Sequence, residues 1–321
     1  MKSKIIPYLN KEASVLFYGA AGDGFAAGLD MSELLDTAFA CGINAIDTAR
    51  VYGQSEKSIG MWLKHFSHRE ELVLLSKCAH PDPDTGKDRV SEKDIREDFK
   101  VSQELLNTDY LDIYLLHRDD PSVPVSEIVS VMNALIEEGK IKTWGGSNWS
   151  TERIREANTY ALYHGLQPMS MSSPHYGLGI QANNPWIGTG VSLTGEEMKK
   201  DRLWYKESRL PILCYSSLGR GMFSGKFKSE EADKAGSILD EFALKGYFCE
   251  ENIKRLARCE SLAAKKDTSV AAIATAWLLA SKMNAFALIS ASKPSRIAEN
   301  AKAVDLILTE EELSFLASED I

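Results

Sequence analysis

Four side chains that could move protons lie at or just after the ends of apolar segments of this sequence. Asp47, Lys77 and His117 each end such a segment, and Tyr52 follows Asp47 by five residues. A tyrosine has an unperturbed pKa of about 10, so it remains a proton donor at neutral pH. A nearby Lys77 ammonium would lower the pKa of Tyr52 toward the working range, and Asp47 would keep that ammonium charged. These residue types suit proton donation to a substrate oxygen, which His117 would orient.

Each of these side chains also has a structural explanation when it is taken singly. Asp47 could cap a helix, Lys77 could extend to solvent, and His117 could be a hydrogen-bonded buried imidazole. A chemical alternative is a Schiff-base enzyme with Lys77 as nucleophile, but pairing with Asp47 disfavours it because an ammonium is not nucleophilic. A metal site is not indicated, since His65 and His68 lack an accompanying carboxylate or cysteine pattern; we expect them on a solvated helix end. Convergence of four dissimilar titratable groups would favour an active site.

The elements that must position these groups alternate between short apolar segments and longer amphipathic ones. The predicted strands span residues 15–19, 44–49, 72–78, 111–117, 143–148, 169–174, 212–217 and 286–291. One intervening helix is predicted to end at Gly139, and another to begin at the capping pair Ser91 and Asp94. Eight strands, each followed by a helix, predict a single (β/α)8 TIM barrel over residues 1–321. A doubly wound open sheet is less favoured because no GxGxxG turn follows the first strand.

In such a barrel, functional side chains gather at the carboxyl ends of the strands. The polar residues at or near the ends of the second to eighth predicted strands are Asp47, Lys77, His117, Ser147, Asn148, Ser172, Tyr215, Ser216, Ser290 and Ser292. The fold prediction therefore places the four candidate proton-transfer groups at one mouth of the barrel.

Composition narrows the classes of partner. The 321 residues include 37 Lys and Arg against 46 Asp and Glu, a formal net charge of −9. This balance argues against a general nucleic-acid or anionic-membrane binder. Five cysteines without a CxxC spacing suggest reduced thiols, and neither a signal peptide nor a membrane-spanning segment is expected. We therefore expect a soluble, cytoplasmic protein.

Six segments, in order along the chain, resemble the aldo-keto reductase family. They are NAIDTARVYGQSEKSIGMWL at 44–63, LLSKCA around Lys77, DIYLLHRDD around His117, WGGSNWS around Asn148, CYSSLGRGMFSGK at 214–226 and SASKPSRIAENAKAVDLILTEEEL at 290–313. The resemblance implies a (β/α)8 oxidoreductase that transfers hydride between NADPH and a carbonyl compound. It also implies that Tyr52 is the acid/base and that Asp47, Lys77 and His117 are its partners.

The resemblance further implies where NADP(H) would bind. Ser147 and Asn148 would hold the nicotinamide carboxamide, Tyr215 would stack on the ring, and Ser172 would stand where many members have Gln. The pyrophosphate and adenosine ends would use Ser216, Leu218, Gly219, Ser292, Arg296 and Asn300, with Ser292 and Arg296 on the 2′-phosphate. The remaining implied cofactor-binding residues are Gly19, Ala20, Arg220, Ser290 and Ala291.

Physical chemistry supports the phosphate assignment independently. Lys293, Pro294 and Arg296 lie at the start of the last predicted barrel helix, with the proline suited to its first turn. Free N–H groups and the helix dipole favour an anion there, and Arg296 can give a bidentate hydrogen bond. Where many members have Lys-Ser, this chain has Ala291 and Ser292, so one potential phosphate cation is absent.

The sequence leaves two functional readings open. The first is an NADPH-dependent aldehyde or ketone reductase, whose pocket is bounded by residues 175–209. Trp186, Trp204 and Tyr205 of this segment could line the pocket or pack the loop against the barrel. The second is a redox-sensing module that binds NADP(H) with little turnover. The Tyr52 acid/base set weighs against the second reading, because a pure sensor has no need of a proton donor.

Overall fold

The computed structural model describes residues 1–317, and their strands and helices alternate as the sequence predicts. The strands are β1 (Ser3–Ile5), β2 (Glu12–Ser14), β3 (Leu16–Gly19), β4 (Ala45–Asp47), β5 (Val73–Cys78), β6 (Leu111–Leu116), β7 (Ile141–Ser147), β8 (Met171–Ser173), β9 (Ile212–Cys214) and β10 (Ala285–Ile289). The helices are α1 (Asp23–Ala26), α2 (Ser32–Ala40), α3 (Ser55–Leu63), α4 (Glu92–Leu106), α5 (Val125–Glu137), α6 (Thr151–Tyr163), α7 (Lys199–Ser208), α8 (Ala235–Ile238), α9 (Glu241–Gly246), α10 (Glu250–Lys265), α11 (Val270–Leu279), α12 (Pro294–Lys302) and α13 (Glu310–Ala317).

Strands β3 to β10 form a closed parallel barrel, and β10 completes it by pairing with β3. This is the predicted (β/α)8 TIM-barrel fold. Each of the eight predicted strands overlaps an observed one, although several end earlier than predicted. Strand β9, for example, ends at Cys214 and not at 217, because the chain turns into the loops of the barrel mouth.

An N-terminal hairpin that the sequence did not reveal closes the opposite end of the barrel. Strands β1 and β2 pair antiparallel and are only three residues each, too short to show an alternating pattern. Ile6 and Ala13 of this hairpin are fully buried in a cluster with Phe17 and Phe286. The two phenylalanine rings meet edge to face, with centroids 5.7 Å apart. The N-terminal half of the barrel interior is therefore apolar packing.

Side-chain alternation along the strands selects which residues reach the mouth. On β5, Val73 and Leu75 belong to the interior cluster. Since successive side chains of a strand point to opposite faces, Lys77 continues this inward series at the carboxyl end. The same alternation places Asp47 of β4 and His117, just after β6, on the inner side. The apolar interior of the barrel thus ends at the mouth in the polar side chains of Asp47, Lys77 and His117.

The predicted helix boundaries are also observed. Ser91 Oγ accepts a hydrogen bond from the Asp94 N–H at 3.2 Å, which caps α4 as predicted. Gly139 follows the C-cap residue of α5 and adopts a φ of +71°. Among residues 1–317, none of the helices combines the length and apolar character that a bilayer crossing requires.

Candidate active site

Lys77 lies between an acid and a phenol at the mouth of the barrel. Its Nζ is 2.5 Å from Asp47 Oδ1 and donates a hydrogen bond to the Thr48 carbonyl at 3.0 Å. The same Nζ lies 5.1 Å from the centroid of the Tyr52 ring. His117 meets this ring edge to face, with centroids 5.6 Å apart. The four side chains singled out from the sequence therefore come together.

A tight turn after β4 presents Tyr52. Gly53 has a φ of +58°, a backbone conformation that favours glycine. A Cβ at this position would lie 2.7 Å from the Ala26 carbonyl oxygen, which accepts a hydrogen bond from the Gln54 N–H at 2.9 Å. The turn is thus held against the α1 segment, and Tyr52 is aimed by backbone contacts.

A buried glutamate ties the start of α3 to the neighbouring strand. Glu56 is fully buried, accepts a hydrogen bond from Ser76 Oγ at 2.6 Å and pairs with Arg50. Ser76 directly precedes Lys77 on β5, so Glu56 fixes the helix that follows Tyr52 relative to the strand that carries Lys77. Glu56 lies in the 44–63 segment that resembles the family, but the sequence alone assigned it no role. An acidic residue on the apolar face of a predicted helix was the available signal.

The charges in this cluster favour an ammonium at Lys77. Burial by itself lowers the pKa of Lys77, but the charge of Asp47, the Tyr52 phenol and their hydrogen bonding outweigh it, so the pKa is raised. A lysine with a raised pKa is charged at neutral pH and is a poor nucleophile. This weighs against the Schiff-base alternative.

Tyr52 and His117 are both neutral at physiological pH. Burial raises the pKa of Tyr52, and the opposing charge of Lys77 does not bring it back, so the expected lowering toward the working range is not observed. Burial, with the charges of Lys77 and Arg118, holds the pKa of His117 well below its usual value. His117 Nδ1 is buried and has no hydrogen-bond partner among residues 1–317. Tyr52 thus retains its proton, and a neutral imidazole stands beside it.

Ser147 and Asn148 form a hydrogen-bonded network next to this cluster. Ser147 Oγ donates to the Ser173 carbonyl at 2.9 Å, and Asn148 Nδ2 donates to Ser147 Oγ at 3.1 Å. Asn148 Oδ1 accepts from the Tyr215 hydroxyl at 2.8 Å and from the Val191 N–H at 3.0 Å. Asn148 has a φ of +60°, a strained position for a non-glycine residue. The network joins the ends of β7, β8 and β9.

Ser172 does not belong to this network, and its assignment to the cofactor is corrected by the structure. Its hydroxyl accepts a hydrogen bond from the Tyr205 hydroxyl of α7 at 2.9 Å, so it faces the helix layer. The adjacent Ser173 lies on the mouth side and provides the carbonyl that binds Ser147. Tyr205 is fully buried, and its ring centroid lies 4.8 Å from that of Trp204, so its role is structural. The sequence prediction chose the wrong one of two neighbouring serines because one residue of register reverses the face.

The loop after β9 consists of two overlapping turns. Gly219 N–H donates to the Ser216 carbonyl at 2.8 Å, and Gly221 N–H donates to the Leu218 carbonyl at 3.2 Å. Ser216 and Gly219 have φ values of +48° and +56°. Successive turns of this kind direct backbone N–H groups to one side and can form an anion-binding concavity.

Arg220, in the same loop, is engaged with protein groups. Its guanidinium is 2.5 Å from Asp240 and lies over the rings of Trp186 and Phe242, at 5.4 and 5.3 Å from their centroids. Trp186 and Phe242 stack at 5.0 Å. These contacts join residues 175–209, which were expected to bound the pocket, to the β9 loop.

The position where the sequence predicts an anion lies at the start of α12. Lys293 is the N-cap residue and Pro294 the first helical residue, and no side chain among residues 1–317 caps this end. Arg296 is half-exposed and pairs with Glu299 at 2.9 Å, while Ser290 and Ser292 are exposed. Asn300, one helical turn further, is buried. Uncapped N–H groups and a half-exposed guanidinium can receive a phosphate.

Gly19 and Ala20 connect this end of the barrel to the proton-transfer cluster. The Ala20 N–H donates to the Asp47 carbonyl at 2.9 Å, and Ser55 Oγ donates to the Ala20 carbonyl at 2.5 Å. Tyr18 donates its hydroxyl proton to the Ala291 carbonyl at 2.8 Å, which joins β3 to the loop after β10. The cofactor-binding residues predicted on β3 and β10 are therefore neighbours.

The histidine pair outside the barrel has carboxylate neighbours that the sequence reading overlooked. His68 Nδ1 lies 2.9 Å from Glu71 Oε1, and Glu70 is close enough for the three side chains to share a metal ion. All three are exposed, and exposed acidic groups are common without a metal. His65 is also exposed, as expected for a solvated helix end.

Comparison with known proteins agrees with this geometry. The model of the aldo/keto reductase family matches residues 21–318. The aldo-keto reductase YhdN of Bacillus subtilis is 30% identical over 299 residues, which cover 89% of this chain and 83% of that protein. A protein of Arabidopsis thaliana named "Probable voltage-gated potassium channel subunit beta" is 27% identical over 312 residues, 92% of this chain and 89% of that one.

A solved structure extends the similarity to the backbone. The crystal structure of a thermostable aldo-keto reductase in complex with the inhibitor epalrestat has a TM-score of 0.74 and 26% sequence identity, and the match covers 99% of each chain. The matched family model spans the strands that carry Asp47, Lys77 and His117, together with Tyr52. The chain belongs to the aldo/keto reductase family.

Proposed function

We propose that this protein is an NADPH-dependent oxidoreductase that reduces an aldehyde or ketone to the alcohol, with Tyr52 as the proton donor. The observation that carries the proposal is the meeting of Tyr52, Lys77, Asp47 and His117 at the barrel mouth. Family membership supports the oxidoreductase class. The partner would be a small carbonyl compound or the corresponding alcohol.

The residues at the mouth fit NADP(H). Ser147, Asn148 and Tyr215 would hold the nicotinamide end, and the turns around Ser216 and Gly219 would bind the pyrophosphate. Leu218 and Arg220 belong to the same loop, and Gly19 and Ala20 lie at its opposite side. Ser290, Ala291, Ser292, Arg296 and Asn300 would bind the adenosine end, where the uncapped start of α12 suits the 2′-phosphate. When bound, the cofactor supplies the hydride.

The chain's own groups would then handle the proton. Tyr52 would donate its hydroxyl proton to the carbonyl oxygen of the substrate, which becomes the alcohol oxygen. Lys77, kept charged by Asp47, would stabilise the resulting phenolate. Neutral His117 would donate a hydrogen bond to the same oxygen and fix its position.

Replacement of Tyr52 by Phe tests this function. The Tyr52→Phe variant should lose carbonyl-dependent NADPH oxidation by about 10²- to 10⁴-fold, the usual contribution of a general acid. The Kd for NADPH, measured by fluorescence quenching, should remain within about twofold because the ring is preserved. Wild-type turnover in Tyr52→Phe would contradict the assignment.

The cofactor preference has a separate test. Arg296→Ala should weaken NADPH binding and leave NADH binding nearly unchanged, because the two cofactors differ in the 2′-phosphate. Lys302→Ala, at the other end of α12, is the matched control. Equal affinity of the wild type for both cofactors would refute NADP specificity.

A second candidate is a redox-sensing module that binds NADP(H) with little turnover. The similarity to a protein named as a potassium-channel subunit favours this candidate. The assembled acid/base set favours the enzyme. Slow turnover with every carbonyl tested, together with a stable protein partner recovered with NADPH-loaded protein, would favour the module.

A further inference from the structure

Arg118 is a buried cation at the mouth of the barrel. It directly follows His117 and is 5% exposed. Its Nη1 donates to the His117 carbonyl at 2.8 Å, and its Nε donates to the Ile187 carbonyl at 3.3 Å. Within residues 1–317, no carboxylate oxygen lies within 4.0 Å of its guanidinium. Burial of a cation without an anion is unfavourable, so such an arrangement calls for an explanation.

The nearby Arg153 shows that this part of the barrel can supply carboxylates. Arg153 is 9% exposed, and its Nε lies 3.0 and 3.3 Å from the two oxygens of Asp119. Its Nη1 lies 3.1 Å from Glu156. Both arginines are buried and donate to backbone carbonyls, but only Arg153 also has acidic partners among residues 1–317.

Arg118 lies near the side chains proposed to take part in the reaction. Burial dominates the pKa of Tyr52, of Tyr215 and of His117, and the Arg118 charge acts on all three. The guanidinium therefore lies close enough to influence the proton donor and its partners. On its outer side, Arg118 lies beside Gly188, where an added Cβ would be 3.6 Å from Nε. It is covered by a loop and faces the mouth.

The phosphates of the cofactor do not account for Arg118. The residues proposed for those phosphates follow β9 and β10, whereas Arg118 follows β6. In the closed barrel order, β6 is four strands from β10 and three strands from β9, so Arg118 lies on the far side of the mouth from the start of α12. The substrate is the other molecule that enters the mouth, and it would supply an anion on this side.

We propose that Arg118 determines substrate specificity and that the carbonyl compound reduced here carries a carboxylate. This inference rests on the proposed function. The guanidinium N–H groups that do not bind backbone carbonyls would bind the carboxylate in a charge-assisted hydrogen bond, possible in bidentate form for arginine. The carbonyl carbon would then lie toward Tyr52 and His117.

Paired substrates test the proposal. One pair is 4-oxobutanoate and butanal, and the other is 4-carboxybenzaldehyde and 4-methylbenzaldehyde. The wild type should prefer the carboxylate member of at least one pair by about tenfold or more in kcat/KM. Arg118→Met should remove this preference through a higher KM for the carboxylate member, with the neutral member changed by less than about threefold. Arg118→Lys should restore part of the preference because it keeps the charge.

Arg202 provides a matched control for a purely structural role. Its Nη1 also donates to two carbonyls of the same long loop, those of Leu193 at 2.8 Å and Gly195 at 2.5 Å, but it lies outside the barrel. Arg202→Met should leave the ratio of the paired substrates unchanged. Equal losses for both members of a pair in Arg118→Met would mean that Arg118 only holds the loop, and would overturn the proposal.

A binding measurement separates failure of this inference from failure of the proposed function. Isothermal titration of the NADP⁺-loaded protein with 4-carboxybenzyl alcohol and 4-methylbenzyl alcohol needs no turnover. Tighter binding of the carboxylate in the wild type, lost in Arg118→Met, would support the anion site even if no carbonyl were reduced. Turnover of neutral aldehydes without carboxylate preference in catalysis or binding would refute the anion site and leave the reductase proposal standing.

Discussion

At the N-terminal end of the barrel a buried carboxylate is surrounded by protein cations, whereas the carboxylate at the C-terminal end shares its lysine with a phenol. Asp112, near the start of β6, lies 2.8 Å from Arg69 and 2.7 Å from Lys11. It also accepts the Leu74 N–H at 3.0 Å. Asp47, at the end of β4, is 2.5 Å from Lys77, whose ammonium faces Tyr52.

The difference separates charges that hold the barrel together from charges that serve a ligand. At the N-terminal end, two protein cations and a backbone N–H contact the Asp112 carboxylate, and the hairpin covers the apolar interior. At the mouth, His117 Nδ1 is unpartnered and Arg118 lacks a carboxylate among the described residues. These two groups can therefore form hydrogen bonds or ion pairs with a cofactor or a substrate.

The largest expected effect comes from removing the cation at the mouth. Lys77→Met should reduce kcat by at least about 10²-fold, because the Tyr52 phenolate loses its stabilising charge. It should also destabilise the fold by about 3 to 5 kcal/mol, since Asp47 is left buried without its cation. Steady-state kinetics and urea unfolding measure the two effects.

A double variant separates them. Adding Asp47→Asn to Lys77→Met removes the unpaired charge and should recover much of the stability but none of the activity. Recovery of activity would show that the pair has only a structural role.

The corresponding change at the other end should affect stability alone. Asp112→Asn should lower the free energy of unfolding by about 2 to 3 kcal/mol, less than a fully buried pair would because Arg69 and Lys11 are each 21% exposed. The kcat of the folded protein should stay within about twofold of the wild type. A large loss of kcat without loss of stability would contradict the division between the two ends.

A smaller effect is expected from pH. The pKa of His175 is lowered by burial to about 3, and that of His117 is also held well below its usual value. Because these folded-state values lie below the unfolded value of about 6.5, protons favour the unfolded chain as the pH falls below that value. Lowering the pH from 6.5 to 5.5 should therefore decrease the free energy of unfolding by about 1 kcal/mol for each histidine.

Urea unfolding across this range tests the assignment. His117→Asn should show a smaller loss of stability between pH 6.5 and 5.5 than the wild type. An identical pH dependence would indicate that His117 already carries a proton in the folded protein.

The smallest effect is expected at Ser172, which faces away from the mouth. Ser172→Ala should destabilise the fold by about 1 kcal/mol, because the buried Tyr205 hydroxyl loses its acceptor. The Kd for NADPH should not change, whereas Ser147→Ala, the matched control, should weaken binding. Weaker NADPH binding in Ser172→Ala would restore the original sequence-based assignment.

The sequence predicted the barrel well because strands buried on both faces give strong apolar signals. It also predicted the cluster around Tyr52, since an Asp, a Lys and a His ended such strands. It missed the short hairpin of β1 and β2 and chose Ser172 over Ser173, because three-residue strands and single-residue register carry little signal. Arg118 lies in the DIYLLHRDD segment around His117. Whether a buried arginine has an acidic partner, however, depends on loops distant in sequence, such as that of Ile187.

The closure of the barrel has a consequence for how the chain acquires its structure. Strand β3 pairs with β10, whose residues are synthesised roughly 270 positions later, so closure has a long sequence separation and is expected to be slow. At about 5 to 20 residues per second, a ribosome needs on the order of a quarter of a minute or more between the two strands. During that time the edge of β3 that will receive β10 lacks its final neighbour, and nascent chains are exposed to edge-to-edge association. Loss of β10 by truncation would therefore yield aggregates sooner than a smaller soluble barrel.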